Sequence, residues 1–305
     1  MARILVTRHL PFPAIDRLRE DGHDVDGWED PLPPPRDALL ERVHDADGLL
    51  CMLSDQVDGE LLDRAPKLRA VAVYAVGYDN VDLDAAREHG VQVGNTPDVL
   101  TDATADLAFA LLLTAARRLP EAAAAVRQGE WRTWEPAGWM GVDVHGATLG
   151  IIGFGRIGRA VGARAAGFDM TVIHTPETPL EELLERSDFV SLHAPLTPDT
   201  HHLIDAAALG RMKPTAILIN TARGPIVDHD ALVEALHAGE IGGAALDVTD
   251  PEPLPPDDPL MRAPNAIVVP HIGSATTATR SKMADMAVDN LLAALDGRPM
   301  PHGVT

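Results

Sequence analysis

Three residues that could act together on a carbonyl substrate each follow a predicted strand at its carboxyl end. Arg223 follows TAILINT, Glu252 follows GAALDV and His271 follows AIVVP. In an open α/β sheet, ligands bind at that edge. An arginine can bind a carboxylate through two hydrogen bonds, and a histidine can give or take a proton near neutral pH. Their shared placement therefore predicts a catalytic site.

Each of these residues also has an ordinary structural explanation when it is considered alone. Arg223 could form a surface ion pair, Glu252 could be a loop acid, and His271 could cap a helix. A carboxylate beside a histidine favours the imidazolium form, which can donate a proton to a substrate carbonyl as hydride arrives. The strand-end position of all three residues favours the catalytic interpretation.

The stretch GIIGFGRIGRAVGARAAGF contains the spacing G-x-G-x-x-G at Gly153, Gly155 and Gly158. The first glycine permits a tight turn, the second lets the backbone approach a pyrophosphate, and the third allows a helix to pack closely on a strand. The amides of the first helical turn then bind the anion. An ordinary βα turn could use the same glycines for packing. The preceding strand and the following amphipathic helix favour a dinucleotide site.

The next strand, MTVIH, is followed by TPETP where such domains usually carry an acid for the adenosine ribose. Glu177 lies one residue late and is a tentative partner for the ribose hydroxyls. No Arg or Lys lies between residues 168 and 185 to meet the 2′-phosphate of NADP. His174, Thr175 and Thr178 could offer weaker contacts. The sequence therefore predicts NAD rather than NADP.

The composition excludes several classes of protein. A formal net charge of −21 with no basic stripe argues against nucleic acid, and the longest apolar run, LAFALLLTAA, is too short to span a membrane. No ligand-spaced cluster predicts a metal site. The N-terminus lacks the apolar core of a signal peptide, and the single cysteine fits a reducing cytoplasm. The acidic, lysine-poor surface indicates either adaptation to high salt or simply high solubility.

An alternating strand–helix pattern predicts an α/β fold with two Rossmann-like, doubly wound parallel sheets. The last residues, RPMPHGVT, are expected to return to the first half, so that the dinucleotide-binding domain (98–287) is inserted into a discontinuous substrate domain (1–97 plus 288–305). A buried helix is predicted at 101–118 and a final helix at 275–296. The loop at 129–146 holds three of the four tryptophans and is expected to pack against a homodimer partner or within the chain.

Seven segments together resemble the D-isomer-specific 2-hydroxyacid dehydrogenases, especially the glyoxylate/hydroxypyruvate reductase group. They span nearly the whole chain and are AVGYDNVDLDAA, NTPDVLTDATADLAFALLL, GFGRIGRAV, SDFVSLHAPLTPDT, NTARGPIVD, ALDVTDPEP and PHIGSAT. The resemblance implies that Arg223 binds the substrate carboxylate, that His271 is the acid/base and that Glu252 pairs with it. Related formate dehydrogenases use glutamine where this chain has Glu252.

The resemblance also implies further contacts. The backbone of Val76 and Gly77 would hold the substrate carboxylate from the other domain, and Trp139 of a partner subunit is a tentative substrate contact. Residues facing the pyrophosphate or lining the cofactor would be Arg156, Ile157, Ala194, Thr221, Ala222 and Asp247. In relatives, a longer segment with another short strand follows MTVIH, and here that segment is shortened. A homodimer built on the dinucleotide-binding domains is expected.

The predicted function is NAD(P)H-dependent reduction of a small 2-keto acid, with glyoxylate or hydroxypyruvate preferred. One alternative is a dehydrogenase for another D-2-hydroxy acid, such as D-lactate, 2-ketogluconate or 3-phosphoglycerate. The loop around residues 51–53 is expected to set that choice. A second alternative is a non-catalytic NAD(H)-sensing protein that resembles the corepressors built on this fold.

Overall fold

The computed structural model describes residues 1–305, which form eleven strands and eleven α-helices. The first elements are β1 (Arg3–Val6), α1 (Ala14–Glu20), β2 (Asp24–Gly27), α2 (Arg36–Val43), β3 (Gly48–Cys51), α3 (Gly59–Arg64), β4 (Ala70–Val73), α4 (Leu83–Glu88) and β5 (Gln92–Gly94). They are followed by α5 (Thr101–Ala116), α6 (Leu119–Arg127), β6 (Thr148–Ile152), α7 (Arg156–Ala165), β7 (Thr171–His174), α8 (Leu180–Arg186), β8 (Phe189–Leu192), α9 (Ala206–Arg211), β9 (Ile217–Asn220), α10 (His229–Ala238), β10 (Gly243–Leu246), β11 (Ala266–Val268) and α11 (Thr277–Leu295). No helix is long and apolar enough to cross a membrane.

The chain divides into two compact units. Unit 1 comprises residues 1–100 and 275–305, and unit 2 comprises residues 101–274. The sequence-based division places 275–287 in the dinucleotide-binding domain instead. Those residues belong to unit 1 because α11 packs against the unit 1 sheet along its length: Ala284, Ala287 and Val288 are fully buried beside Ile4. The boundary therefore falls before α11 and not within it.

Each unit is built on one parallel sheet. The strand order is β2-β1-β3-β4-β5 in unit 1 and β11-β10-β9-β8-β6-β7 in unit 2. The central strands β3, β4, β8, β9 and β10 are buried at every position, as expected for strands covered on both faces. The edge strand β2 reads DVDG and is largely exposed, which explains why no apolar run marks it in the sequence. These two sheets confirm the predicted fold class.

The carboxyl edge of the unit 2 sheet has one topological switch point. After β6 the chain passes to β7 on one side of the sheet, and it then returns to β8 on the other side. A crevice therefore opens above the carboxyl ends of β6 and β8, where nucleotides bind in folds of this kind. No strand pairs with the outer side of β7, because the chain turns at residues 175–179 directly into α8.

The helix predicted at 101–118 is observed as α5 and packs inside unit 2. Its buried face includes Phe109, Leu111 and Leu112, which share a core with residues of α7 and the unit 2 strands. The tryptophans of the following loop behave differently. Trp131, Trp134 and Trp139 are 69%, 80% and 45% exposed, so packing within the chain does not cover them.

Candidate active site

The glycine-rich turn lies between β6 and α7, at the switch point of the unit 2 sheet. Gly153 has a φ of +92°, a left-handed conformation that favours glycine. A Cβ added to Gly153 would lie 2.4 Å from the amide nitrogen of Ala194, so the turn abuts the end of β8. A Cβ on Gly158 would lie 2.3 Å from the carbonyl oxygen of Gly153. Both glycines are therefore required by close packing.

Gly155 differs from these two glycines because it faces open space. No atom lies within 4 Å of a Cβ added there, and Gly155 is the N-cap of α7. The backbone is thus free to approach a bound pyrophosphate, and the positive end of α7 favours an anion. Arg156 is the first residue of the helix and is exposed, while the Ile157 side chain packs on the unit 2 core. These residues fit a dinucleotide.

The end of β7 and the shortened segment after it contact the glycine turn. The Thr175 hydroxyl accepts a hydrogen bond from the Gly153 amide at 3.0 Å. The His174 ring stacks on Phe154, with ring centroids 3.6 Å apart and planes 4° apart. Glu177 is exposed, and one of its carboxylate oxygens lies 3.5 Å from His174 Nε2. His174 and Thr175 therefore contact residues of the glycine turn, whereas the Glu177 side chain faces solvent.

One basic side chain reaches this end of the site from outside the segment. The Arg159 guanidinium lies 5.9 Å from the centroid of the Phe154 ring, the same ring on which His174 stacks. Arg159 lies on α7, so the lack of Arg and Lys between residues 168 and 185 does not exclude a basic side chain at this end of the site. The stacked Phe154 and His174 rings thus have a cation, Arg159, near the first ring and an anion, Glu177, near the second.

The loop that carries Arg223 follows β9 and is fixed by a buried asparagine. Asn220 is 1% exposed, and its Nδ2 donates to the carbonyl oxygen of Arg223 at 2.8 Å. Its Oδ1 accepts from the Ala222 amide at 2.9 Å. The Arg223 Nη1 donates to the Ala222 carbonyl at 2.8 Å. Asn220 was not predicted as a site residue, although it ends the strand that precedes Arg223.

A close backbone contact joins the Arg223 loop to the loop that carries Glu252. A Cβ added to Gly224 would lie 2.0 Å from the carbonyl oxygen of Thr249, a distance that no side chain could accept. The Thr249 hydroxyl in turn donates to the carbonyl oxygen of Pro251 at 2.8 Å. The glycine after Arg223 is therefore what lets these two loops meet.

His271 and Glu252 form a direct pair. Nδ1 of His271 lies 2.6 Å from Oε1 of Glu252. The two side chains are 33% and 42% exposed, so both remain accessible to a small ligand. His271 also has a φ of +51°, and its amide nitrogen donates to the carbonyl oxygens of Asp247 and Val269. The structure thus brings together two of the three predicted catalytic residues.

Asp247 holds the His271 loop through both of its carboxylate oxygens. Oδ1 accepts from the Ile272 amide at 2.6 Å and Oδ2 from the Gly273 amide at 2.8 Å. The side chain is 2% exposed, and burial raises the pKa of Asp247, while the amide hydrogen bonds and the nearby His271 oppose that rise. The family resemblance implies that Asp247 contacts the cofactor, and in the structure its carboxylate anchors the loop that carries His271.

His193 is a further residue at the switch point that the sequence did not single out. It follows β8, with Nε2 2.8 Å from the Ser191 hydroxyl and Nδ1 3.5 Å from the Thr221 hydroxyl. Burial lowers the pKa of His193 to about 4. The ring is therefore neutral at physiological pH and links the ends of β8 and β9, beside Ala194.

Two other predicted substrate residues lie in unit 1. Val76 and Gly77 follow β4, and the Val76 carbonyl oxygen accepts from Asn95 Nδ2 at 2.7 Å. This bond fixes the peptide that the sequence predicts as a carboxylate contact. The role of Val76 and Gly77, and that of Trp139 from a partner, stay predictions.

Comparison with known proteins assigns the chain to a family. Residues 109–273 match the model of the D-isomer specific 2-hydroxyacid dehydrogenase, NAD binding domain. A glyoxylate reductase from Korarchaeum cryptofilum is 49% identical, over 98% of this chain and 95% of the relative. The chain belongs to the D-isomer specific 2-hydroxyacid dehydrogenase family. It is therefore an NAD(P)-dependent oxidoreductase, as the sequence predicted.

Two solved structures support the same conclusion. A crystal structure of a protein from Thermus thermophilus superposes with a TM-score of 0.95 at 53% identity, covering 99% of this chain and 100% of the other. An NADPH-dependent glyoxylate/hydroxypyruvate reductase from Sinorhizobium meliloti, in complex with NADP and malonate, superposes with a TM-score of 0.86 at 33% identity. That match covers 100% of this chain and 97% of the other.

Proposed function

We propose that this dehydrogenase reduces a small 2-keto acid, glyoxylate or hydroxypyruvate, to the corresponding 2-hydroxy acid. The observation that carries the proposal is the His271–Glu252 pair at 2.6 Å, on the same sheet edge as the Arg223 loop and the open Gly155 turn. This arrangement supplies a proton donor, an anion-binding cation and a dinucleotide cradle. The glyoxylate reductase relative, nearly half identical over nearly its full length, favours a small substrate.

Each catalytic side chain has one task in this reaction. Nδ1 of His271 is occupied by Glu252, which leaves Nε2 to donate a proton to the keto oxygen. Glu252 orients the ring and stabilises its protonated form. Arg223 binds the substrate carboxylate. A bound nicotinamide dinucleotide supplies the hydride to the keto carbon.

NAD is the proposed cofactor. The exposed carboxylate of Glu177 suits the ribose hydroxyls and would repel a 2′-phosphate. Arg159, near the Phe154–His174 stack, supports the opposite preference. Glu177 outweighs Arg159 in this proposal because the Arg159 guanidinium already lies beside the Phe154 ring. Comparing kcat/KM for NADH and NADPH under matched conditions tests this, and a clear NADPH preference would reject it.

The proposed reaction is tested by following absorbance at 340 nm with glyoxylate, hydroxypyruvate and a panel of larger 2-keto acids. The expected result is the highest kcat/KM for glyoxylate or hydroxypyruvate. A higher value for pyruvate, 2-ketogluconate or 3-phosphohydroxypyruvate would favour a dehydrogenase of another 2-hydroxy acid. Tight NADH binding without turnover on any acid would favour a sensing protein.

We further propose a homodimer in the cytoplasm. The exposed Trp131, Trp134, Trp139 and Met140 form an apolar segment that a second copy of the chain would cover. A single buried cysteine, Cys51, supports a reducing compartment. The expected binding partners are a small keto or hydroxy acid and a second copy of the chain.

A further inference from the structure

The first residue of the glycine turn is held by a side chain that follows β7. The Thr175 amide donates to the Ile151 carbonyl oxygen at 3.0 Å, so the backbone pairing of β7 with β6 continues to Thr175. The Gly153 amide lies just beyond the end of β6, and it donates to the Thr175 hydroxyl at 3.0 Å. A backbone amide that is withdrawn from water needs such an acceptor. Thr175 therefore extends the pairing of the two strands into the turn by one side-chain hydrogen bond.

The second residue of the turn is held by a ring on the same strand. Phe154 lies between α7 and β7: a Cβ added to Gly162 of α7 would lie 3.5 Å from Phe154 Cε2, and the His174 ring stacks on the Phe154 ring. The His174 side chain is 16% exposed, whereas that of Glu177 is 80% exposed. The end of β7 thus holds Phe154 by a ring contact and leaves Glu177 in solvent.

The turn differs on either side of Phe154. Gly153 and Phe154 are fixed by the protein, whereas Gly155 and Arg156 are exposed at the start of α7, where a pyrophosphate would bind. A loop that is already fixed loses less conformational freedom when its ligand arrives, and this raises affinity. The contacts from β7 therefore contribute to dinucleotide binding without touching the dinucleotide.

We propose that Thr175 is a positioning residue for the pyrophosphate-binding turn, and that His174 assists it by holding Phe154. The end of β7 thereby acts on the part of the cofactor that NAD and NADP share. A direct contact with the adenosine ribose would change the discrimination between the two cofactors, whereas a fixed turn affects both equally. The inference rests on dinucleotide binding and is independent of which keto acid is reduced.

A matched pair of substitutions isolates the hydroxyl group. Thr175→Val keeps the shape of the side chain and removes the acceptor, whereas Thr175→Ser keeps the acceptor. The Kd values for NADH, NADPH and ADP-ribose are measured by isothermal titration calorimetry, together with the Tm. For Thr175→Val we expect each Kd to rise about tenfold, because the Gly153 amide loses its partner and the turn is no longer fixed. The ratio of the NADPH and NADH values is expected to stay within about twofold of that of the wild type.

The control makes the same chemical change on the same strand. Thr171 is an exposed residue at the other end of β7, so Thr171→Val should leave all three Kd values unchanged. Thr175→Ser is expected to bind the three ligands within about threefold of the wild type. Three results would each overturn the proposal: wild-type Kd values in folded Thr175→Val, equal losses in Thr175→Ser, or an NADPH/NADH ratio shifted by more than about fivefold.

A second pair of variants applies if Thr175→Val does not fold. His174→Ala removes the ring that stacks on Phe154, whereas His174→Phe supplies another ring in its place. We expect the Kd values for NADH and ADP-ribose to rise about three- to tenfold in His174→Ala and to stay near the wild-type values in His174→Phe. Equal losses in both variants would assign the effect to the approach of His174 to Glu177 and overturn the proposal, as would unchanged binding in His174→Ala.

Discussion

The Nδ1 atom of His271 lies 2.6 Å from Oε1 of Glu252, and this pair sets the direction in which the histidine can act. With Nδ1 engaged, the Nε2 edge is the one left for the substrate. A buried Asp247 holds the loop that follows, through the Ile272 and Gly273 amides. In the proposed reaction, His271 would donate the proton while Asp247 holds the position of its loop.

Replacing His271 removes the proposed proton donor and leaves the glycine turn that would bind the dinucleotide unchanged. We expect His271→Ala to lower kcat for keto-acid reduction by about 10²–10⁴-fold while the Kd for NADH stays within about threefold. Glu252→Gln keeps the hydrogen bond but loses the charge, so a smaller loss is expected than with Glu252→Ala. Steady-state kinetics and fluorescence titration with NADH measure both effects. Near-normal turnover in His271→Ala would reject the proton-donor role.

Asp247→Asn should impair catalysis through the position of His271. The amide group can accept from only one of the Ile272 and Gly273 amides, which leaves the other buried donor without its acceptor at a cost of about 1–3 kcal/mol. We expect kcat/KM to fall by about 10–100-fold with a lower Tm. Asp188→Asn is the control, because Asp188 accepts from the Thr148 amide at the opposite edge of the same sheet. Equal losses of kcat in both variants would contradict the positioning role.

The neutral His193 predicts a loss of stability in acid. Its pKa is about 4 in the folded chain and 6.5 for the ordinary side chain, so below pH 6.5 the unfolded state binds a proton that the folded state does not. The free energy of unfolding that the neutral His193 contributes above pH 6.5 is therefore lost as the pH falls toward 4. The loss is on the order of 3 kcal/mol.

Urea unfolding at pH 7.5 and 4.5 measures the contribution of His193. His193→Asn should flatten the dependence on pH, whereas His201→Asn at an exposed position should leave it unchanged. An equal acid-induced loss in the wild type and His193→Asn would show that other groups carry the effect.

The cofactor preference should respond to the charge of Glu177. Glu177→Gln removes the repulsion of a 2′-phosphate near Arg159 and is expected to raise kcat/KM for NADPH about three- to tenfold, with a smaller change for NADH. Glu181→Gln, on the exposed side of α8, is the matched control and should change neither value. An unaltered NADPH/NADH ratio in Glu177→Gln would exclude Glu177 from cofactor discrimination.

The exposed tryptophans predict a dimer that a charged substitution weakens. Burying a tryptophan contributes a few kcal/mol, so Trp134→Glu is expected to raise the dimer Kd by at least about 100-fold. Sedimentation velocity over a concentration series measures the change. Leu32→Glu, at a 70% exposed apolar residue of unit 1, serves as the control. A monomeric wild type would contradict the dimer directly.

Local sequence patterns were sufficient to predict the main elements and the family. Buried parallel strands are continuous apolar runs, so TAILINT and GAALDV were recognisable as strands, and each proposed catalytic residue could be placed after a strand. The edge strand β2 and the helix α6 were not predicted. β2 reads DVDG, which has neither a buried run nor a clear alternation, and only its pairing with β1 makes it a strand.

The sequence by itself determined which residues have the chemistry, namely Arg223, Glu252, His271 and the glycine turn. Only the tertiary structure decided the geometry of their contacts. It placed Nδ1 of His271 2.6 Å from Oε1 of Glu252, a pair that the family resemblance implied without a geometry, and it gave Asp247 an anchoring role that no local motif reveals. The physical reason is that hydrogen bonds between strand ends depend on strand order. Strand order is set by packing of the whole sheet, whereas turn and strand signals are local.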